Sequence, residues 1–217
     1  MSTAANVSAF ILTLVLVISC GKSPSQRYDT DDKVSASEKD TCDGPDADIN
    51  CCFQNMPLQI TNIMNIADAN EPGERMVISG QVVKSDGVTP YPGLLIYAYH
   101  TDEKGYYSKK GNETGFQKWH GHLHGWCRTD GNGRYEIHSV KPVKYPSNNA
   151  PAHIHAAMKK TENSPPFYIN DFVFKDDPLV NESYTSSLNL DGGLGVVELV
   201  KSADGILTGE RKIVLEK

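Results

Sequence analysis

The chain has 217 residues, a formal net charge of −6 at pH 7 and a sequence pI near 5.6. This length suits one well-packed domain with a tail and is too short for two domains of ordinary size. The acidic balance argues against a nucleic-acid partner, which would call for a basic face. Much of the acidity is local, because residues 21–50 carry eight acidic and four basic side chains.

The N-terminal segment predicts export. Residues 1–19 carry no charged side chain and hold an apolar run from Phe10 to Ile18, which is too short to span a bilayer but suits a signal peptide. The small residues before Cys20 resemble a bacterial lipobox, although no Lys or Arg precedes the apolar run. We therefore expect an exported lipoprotein, held on the periplasmic or cell-surface side of a membrane only by a lipid on Cys20. An ordinary cleaved signal peptide and a buried N-terminal helix are the alternatives.

Residues 20–50 read as a lipid-anchored, disordered tether, because they are rich in Ser, Asp, Lys and Gly and lack a core-forming pattern. An exported protein can oxidise its cysteines. Cys42 is expected to pair with Cys51 or Cys52, which would close a short loop just before the domain. Cys127 is expected to be a small core residue rather than a reactive thiol.

Residues 51–217 predict one all-β domain, an antiparallel β-sandwich of the prealbumin-like type. From Met76 onward, short apolar runs alternate with turn signals, and no long amphipathic helix follows, which argues against a nucleotide-binding α/β fold. Residues 57–70 fit a short helix and an irregular wrap equally well. The expected strands lie at residues 76–83, 94–99, 122–129, 134–140, 152–158, 167–174, 195–200 and 206–215.

Two histidines separated by one residue stand in the run Pro151-Ala152-His153-Ile154-His155. Successive side chains of a strand point to opposite faces, so His153 and His155 project side by side toward one metal-sized space. Tyr145 precedes them at short range. Its phenolate oxygen is a hard donor that suits a ferric ion better than zinc or copper(I). The pattern indicates a metal site, and a wet strand face is the alternative.

Four motifs follow one another in a characteristic order between about Ile78 and Val180. They are Gly105-Tyr106-Tyr107, the turn at residues 129–135, Tyr145-Pro146 and the His-x-His pair. Together they resemble the intradiol ring-cleavage dioxygenases, the family of protocatechuate and catechol dioxygenases. Each motif alone is weak, whereas the ordered set is specific. The chain looks closer to a compact, exported, single-chain branch of that family than to its two-subunit cytoplasmic enzymes.

The resemblance implies a β-sandwich in which two tyrosinates and two histidines hold a non-haem ferric ion, Fe(3+). The implied catalytic and metal-binding residues are Tyr107, Tyr145, His153 and His155, with Tyr106 as the less favoured alternative to Tyr107. Such an ion is a Lewis acid that binds a catechol through both hydroxyl oxygens. The implied reaction with dioxygen opens the ring between the two hydroxyl-bearing carbons and gives a muconate-type diacid.

Two positions depart from the family's pattern. Ala150 stands where well-studied members carry an arginine, and Asp171 aligns with a glutamine. Iron binding can survive both changes, whereas the rate and the substrate range can differ.

A second concentration of histidines lies in residues 119–126. His120, His122 and His124 alternate as residues on one face of a strand would. They fit either a second metal site or a polar strand face near the mouth of the site, and the polar face is favoured. The resemblance places this stretch beside the substrate cleft. Trp119, His120 and Arg128 are therefore candidate substrate-binding residues, and Arg128 is a candidate replacement for the arginine missing at Ala150.

Three functions fit these observations. The first is an iron(III)-dependent intradiol dioxygenase that cleaves a catecholic aromatic, with a small catechol and dioxygen as its partners. The second is a noncatalytic β-sandwich lipoprotein that binds a metal or an aromatic ligand. The third is a structural transthyretin-like domain, which explains the strands but not the four ordered ligands. A homo-oligomer is compatible with each function.

Overall fold

The computed structural model describes residues 42–44 and 47–216. The chain divides into two units, residues 1–38 and 39–217, and every described residue belongs to the second unit. The predicted signal peptide, the lipidation site Cys20 and most of the predicted tether lie outside the described residues. Within the described part, no helix combines the length and the apolar content that crossing a membrane requires.

Strands account for most of the regular structure in this part of the chain. The eleven strands are β1 Ile63–Asn65, β2 Arg75–Lys84, β3 Leu95–His100, β4 His124–Arg128, β5 Arg134–Val140, β6 His153–Lys159, β7 Phe167–Tyr168, β8 Phe172–Phe174, β9 Val196–Val197, β10 Val200–Lys201 and β11 Leu207–Leu215. The described helices are a 3-10 helix at Ile49–Phe53, α1 at Gln117–His120 and α2 at Glu182–Ser186.

The strands form two sheets that pack face to face, which confirms the predicted all-β sandwich. One sheet has the order β1-β5-β2-β11-β10, and the other has the order β4-β3-β6-β8-β9 with β7 paired to β6. Both sheets are mixed rather than purely antiparallel, since β1 with β5, β2 with β11 and β8 with β9 run parallel. The long stretch of chain between β2 and β11 provides the crossover that parallel neighbours need.

Alternate side chains of the facing strands fill the space between the two sheets. Met76 and Ile78 of β2 meet Ile154 of β6 and Phe172 of β8 in one cluster, and all four are almost completely buried. Burial of an apolar side chain of this size stabilises the fold by roughly 1.5–3 kcal/mol. Cys127 lies in the same cluster and is a core residue, as its place in the sequence predicts.

A second apolar cluster covers the outer face of the β4-β3-β6 part of its sheet. Tyr97 of β3 is buried at its centre, with its ring 5.4 Å from that of Trp126. The 3-10 helix lies over this face and is attached to the sheet by the Trp126 Nε1 hydrogen bond to Cys52 O at 2.7 Å, while a Cys42–Cys51 disulfide closes a loop within the covering segment. Cys52 is a buried free thiol. The segment before β1 therefore forms a third layer that keeps water from the outer face of the sheet.

Residues 57–70 contain a strand, so the short-helix alternative is wrong. β1 pairs in parallel with β5, from Ile63 beside Glu136 to Asn65 beside His138. Met64 points into the core and is fully buried, whereas its two neighbours point away from it. Pairing with β5 at the edge of the sheet gives the backbone N–H and C=O groups of β1 hydrogen-bond partners. This stabilisation outweighs the tendency toward a helix that the spacing of the apolar residues suggests.

Two segments predicted as single strands are each divided in two. Residues 167–174 form β7 and β8, which are separated where the Asn170 side chain donates hydrogen bonds to Leu190 O and Gly193 O, both at 2.8 Å. Residues 195–200 form β9 in one sheet and β10 in the other. A strand that crosses between the sheets of a sandwich must break its ladder at the edge.

The buried His100 makes the stability of this fold depend on pH. Its Nδ1 donates to Thr101 O at 2.7 Å, and its Nε2 accepts from Ser139 Oγ at 2.6 Å. Burial lowers the pKa of His100 to about 4, from 6.5 in an exposed histidine. Between these two pH values the unfolded chain binds a proton that the folded protein excludes, so stability falls as the pH is lowered from 6.5 toward 4.

We expect His100 to contribute up to about 3 kcal/mol to this acid-induced loss, at about 1.4 kcal/mol per pKa unit. Urea unfolding at pH 7, 5.5 and 4.5 measures it in the wild type and in His100→Gln. The wild type should lose more stability than the variant over this range. Equal losses would show that His100 is not the titrating group.

Candidate metal centre

The His-x-His pair lies on the outer face of β6, on the side covered by the third layer. Ile154 between the two histidines points into the core, so His153 and His155 point outward together. Their Nε2 atoms lie 3.0 Å apart. Nδ1 of His153 donates to Pro151 O at 2.6 Å, which leaves a lone pair on its Nε2.

Two tyrosines from two loops complete the cluster. Tyr145 Oη lies 3.2 Å from Nε2 of both histidines, and Tyr107 Oη makes a very short hydrogen bond with Tyr145 Oη. The loops approach closely at Gly105, where an added Cβ would lie 2.3 Å from Lys144 O, and Gly105 also has a φ of 81°. Only glycine fits there. The structure brings together all four predicted ligands, whereas the alternative Tyr106 is 59% exposed.

Asp171 binds the far side of the His155 ring. Its Oδ1 accepts from His155 Nδ1 at 3.0 Å, which fixes the tautomer with a lone pair on Nε2. Within the described residues, His153, His155 and Asp171 are also the one group of at least three His, Cys, Asp or Glu side chains close enough to share a metal. Because Asp171 occupies Nδ1 while Nε2 of His155 faces Tyr145, Asp171 is better placed to orient the histidine than to join its metal. The sequence pattern gave no signal for this contact.

The donor atoms fit a ferric ion. Two imidazole lone pairs face each other at 3.0 Å, an arrangement that a bound cation stabilises. Neighbouring ligands held about 2 Å from a first-row metal lie about 3 Å apart, as these atoms do. Two phenolate oxygens and two imidazole nitrogens form a mainly hard donor set of the kind that iron(III) prefers.

Burial sets the protonation of this cluster. It lowers the pKa of His153, which keeps the imidazole neutral at pH 7. It raises the pKa of both tyrosines, while the hydrogen bond from Tyr107 partly lowers the pKa of Tyr145. Tyr145 is therefore the first of the pair to ionise, and a cation that binds here must displace phenol protons.

An aromatic wall stands beside the cluster. The His120 ring stacks on Tyr99 at 3.7 Å between centroids, and Tyr99 stacks on His155 at 4.7 Å. The Tyr97 hydroxyl lies 2.8 Å from His120 Nδ1 and forms a hydrogen bond with it. Trp119 is 44% exposed. Of the candidate substrate-binding residues, His120 is connected to the predicted ligands, through the ring of Tyr99.

The predicted common face of His120, His122 and His124 is wrong. This segment is a helix followed by a loop, and β4 begins only at His124, so strand alternation does not apply. His122 binds Glu71 Oε2 at 2.9 Å, and His124 Nδ1 donates to Gly121 O at 2.8 Å. The three side chains have separate partners and do not form a second metal site.

Arg128 does not replace the arginine missing at Ala150. Arg128 of β4 pairs with Leu95 at one end of β3. The predicted ligands lie near the other end of β3, where Tyr99 pairs with His155 of β6. Four residues of strand separate the two ends, about 13 Å. The Arg128 guanidinium binds Glu162 Oε1 at 2.7 Å.

Comparisons with known proteins relate this chain to dioxygenases. A family model described as "Dioxygenase" matches residues 51–210. A search of curated proteins finds no significant match. The dioxygenase domain of a dioxygenase–carbohydrate-binding protein fusion from Streptomyces sp. SirexAA-E is 20% identical, with a TM-score of 0.51 over 70% of this chain and 86% of that one.

Two further solved structures share the fold. Catechol 1,2-dioxygenase from Acinetobacter sp. ADP1 is 19% identical, with a TM-score of 0.53 over 74% of this chain and 60% of that one. Hydroxyquinol 1,2-dioxygenase from Pseudomonas putida DLL-E4 is 20% identical, with a TM-score of 0.53 over 75% of this chain and 62% of that one. This chain thus spans less than two thirds of these two enzymes. The family match covers most of its length, and the chain belongs to the intradiol ring-cleavage dioxygenase family.

Proposed function

We propose that this protein binds ferric iron and uses dioxygen to cleave a catecholic aromatic between its two hydroxyl-bearing carbons. The observation that carries the proposal is the convergence of four donor atoms in a chain of this family. They are Nε2 of His153 and His155 and Oη of Tyr107 and Tyr145. A bound ferric ion supplies Lewis acidity that draws in both catechol oxygens and activates the ring toward dioxygen.

The residues of the chain hold the ligands and move protons. The partners of Nδ1 keep both histidines with their Nε2 lone pairs toward the centre. Tyr107 and Tyr145 would hold the iron as phenolates, and Oη of either residue would then be a base for a catechol hydroxyl proton. Burial lowers the pKa of His120 to about 3, so its ring stays neutral and is a candidate hydrogen-bonding partner for a substrate.

A noncatalytic ligand-binding module is the second candidate. Ala150 favours it, because this position lacks the cation that the family resemblance associates with charge developing on the substrate. Iron and catechol would still bind in such a module, and turnover would be absent.

Loss of a ligand should remove iron. Tyr145→Phe and His153→Ala are expected to lower iron affinity by at least about tenfold, because even groups that only orient a ligand contribute 10–100-fold. Iron per protein and the visible tyrosinate-to-iron band measure the effect. Tyr106→Phe is the matched control, since it removes an exposed hydroxyl next to Tyr107 and should retain full iron. Full iron in Tyr145→Phe and His153→Ala would contradict the ligand set.

Turnover distinguishes the two candidates. With iron-loaded protein and a panel of catechols, we expect one dioxygen consumed per catechol and both atoms of ¹⁸O₂ in a muconate-type diacid. Oxygen uptake and product mass spectrometry measure this. Iron-loaded, coloured protein that is inert toward the whole panel would favour the noncatalytic module.

We propose also that the protein is exported and anchored by a lipid on Cys20. The Cys42–Cys51 disulfide supports the export, because disulfides persist in oxidising compartments, and the lipobox-like residues before Cys20 support the anchor. Radiolabelled palmitate should label the wild type expressed in a bacterial host and should not label Cys20→Ser. Equal labelling of both proteins, or labelling of neither, would count against the anchor.

A further inference from the structure

A buried arginine lies behind the candidate metal centre. Arg211 of β11 is 4% exposed, and its Nη2 donates to Asn170 O at 2.8 Å and to Gly192 O at 3.1 Å. Its Nε and Nη1 have no hydrogen-bond partner. Burial lowers the pKa of Arg211 to about 10, so the side chain is still a cation at pH 7. Burying a charge with so few partners is costly, and apolar replacements often stabilise such positions.

Arg211 contacts both neighbours of Asp171. Its Cζ lies 4.1 Å from the centroid of the Phe172 ring, and its Nη2 binds Asn170 O. Asn170 and Phe172 are buried, whereas Asp171 is partly exposed on the other face, where its Oδ1 meets His155 Nδ1. The arginine therefore holds this short segment from the core side while the carboxylate contacts the histidine from the opposite side.

The chain packs tightly around the same segment. An added Cβ at Gly195 would lie 1.9 Å from Asp171 O and 3.5 Å from Arg211 Cζ, and Gly195 O accepts from Val173 N at 2.9 Å. The backbone at Asp171 is thus fixed on both sides.

We propose that Arg211 is a positioning residue of the metal centre, which holds Asp171 against His155. The proposal rests on the proposed iron function. A carboxylate on Nδ1 makes the imidazole a stronger donor and stabilises iron(III) relative to iron(II). Loosening Asp171 should therefore raise the iron reduction potential, as removing its charge in Asp171→Asn should.

The test compares Arg211→Met, which removes the charge and the hydrogen bonds, with Arg211→Lys, which keeps the charge but not the planar fork. Lys212→Met is the matched control, because it removes one positive charge from the neighbouring, exposed position. We expect both Arg211 variants to weaken iron(III) relative to iron(II) by about tenfold, which is 59 mV for a one-electron couple. In an Asp171→Asn background, Arg211→Met should have no further effect.

Three results would overturn the proposal. A potential equal to that of Lys212→Met would leave Arg211 with a structural role only, whatever the loss of thermal stability. A lower reduction potential in Arg211→Met, but not in Arg211→Lys, would show that Arg211 acts on the iron only through its positive charge. A full shift in the Asp171→Asn background would show that Asp171 is not involved.

A measurement without metal separates this proposal from the iron function. In the metal-free protein, ¹⁵N NMR of His155 should show the Nδ1–H tautomer in the wild type and in Lys212→Met, and a mixture of tautomers in Arg211→Met. Wild-type protein that takes up no iron would defeat the proposed function, while this comparison still decides the role of Arg211. Unchanged tautomers in Arg211→Met would refute the positioning role. If Arg211→Met does not fold, Arg211→Lys serves for the same comparison.

Discussion

The alternation of side chains along β6 is the constraint on which the candidate metal centre depends. Ile154 is fully buried between two outward-pointing histidines, and β6 pairs with β3 on one side and with β7 and β8 on the other. A register shift of one residue would turn both imidazoles into the core and expose Ile154. The free energy that fixes the core therefore also fixes the spacing of His153 Nε2 and His155 Nε2.

The remaining parts of the site are fitted to this strand. Tyr107 and Tyr145 come from loops that touch at Gly105, and Asp171 comes from the segment between β7 and β8. The third layer, which the Trp126–Cys52 hydrogen bond attaches to the sheet, buries Tyr97, whose hydroxyl contacts Nδ1 of His120. Burial lowers the pKa of His153 and raises the pKa of both tyrosines, so the cluster is prepared for a cation that replaces phenol protons.

The part of the site that follows from local periodicity was predictable. Strand alternation alone placed His153 and His155 on one face, and turn signals located most of the sandwich strands. Tyr145 was a candidate because it precedes the histidines at short range, whereas Tyr107 required the resemblance, because a loop residue distant in sequence meets them only through the fold. The choice between Cys51 and Cys52 likewise depended on which side chain the 3-10 helix turns toward Cys42.

Other predictions failed where a local pattern was extended too far. The alternation of His120, His122 and His124 suggested a strand, but the chain forms a helix and a loop before β4 begins. Arg128 lies in β4 beside β3, but at the end of that strand pair that is away from the predicted ligands. Which end it occupies depends on the strand register, which no sequence pattern reveals. The sequence singled out Asp171 only as a departure from the family's pattern. Its contact with His155 and the place of Arg211 arise from packing between separate segments, which no sequence pattern reveals.

Resonance Raman spectroscopy of the iron-loaded protein, excited within its visible band, tests the four-ligand centre most directly. Ligation by Tyr107 and Tyr145 predicts enhanced tyrosinate ring vibrations from two distinct residues, with one set lost in Tyr145→Phe reconstituted with excess iron. Iron that binds with no tyrosinate vibration, and that is lost in Asp171→Asn, would contradict this centre. Such a result would instead indicate a site formed by His153, His155 and Asp171.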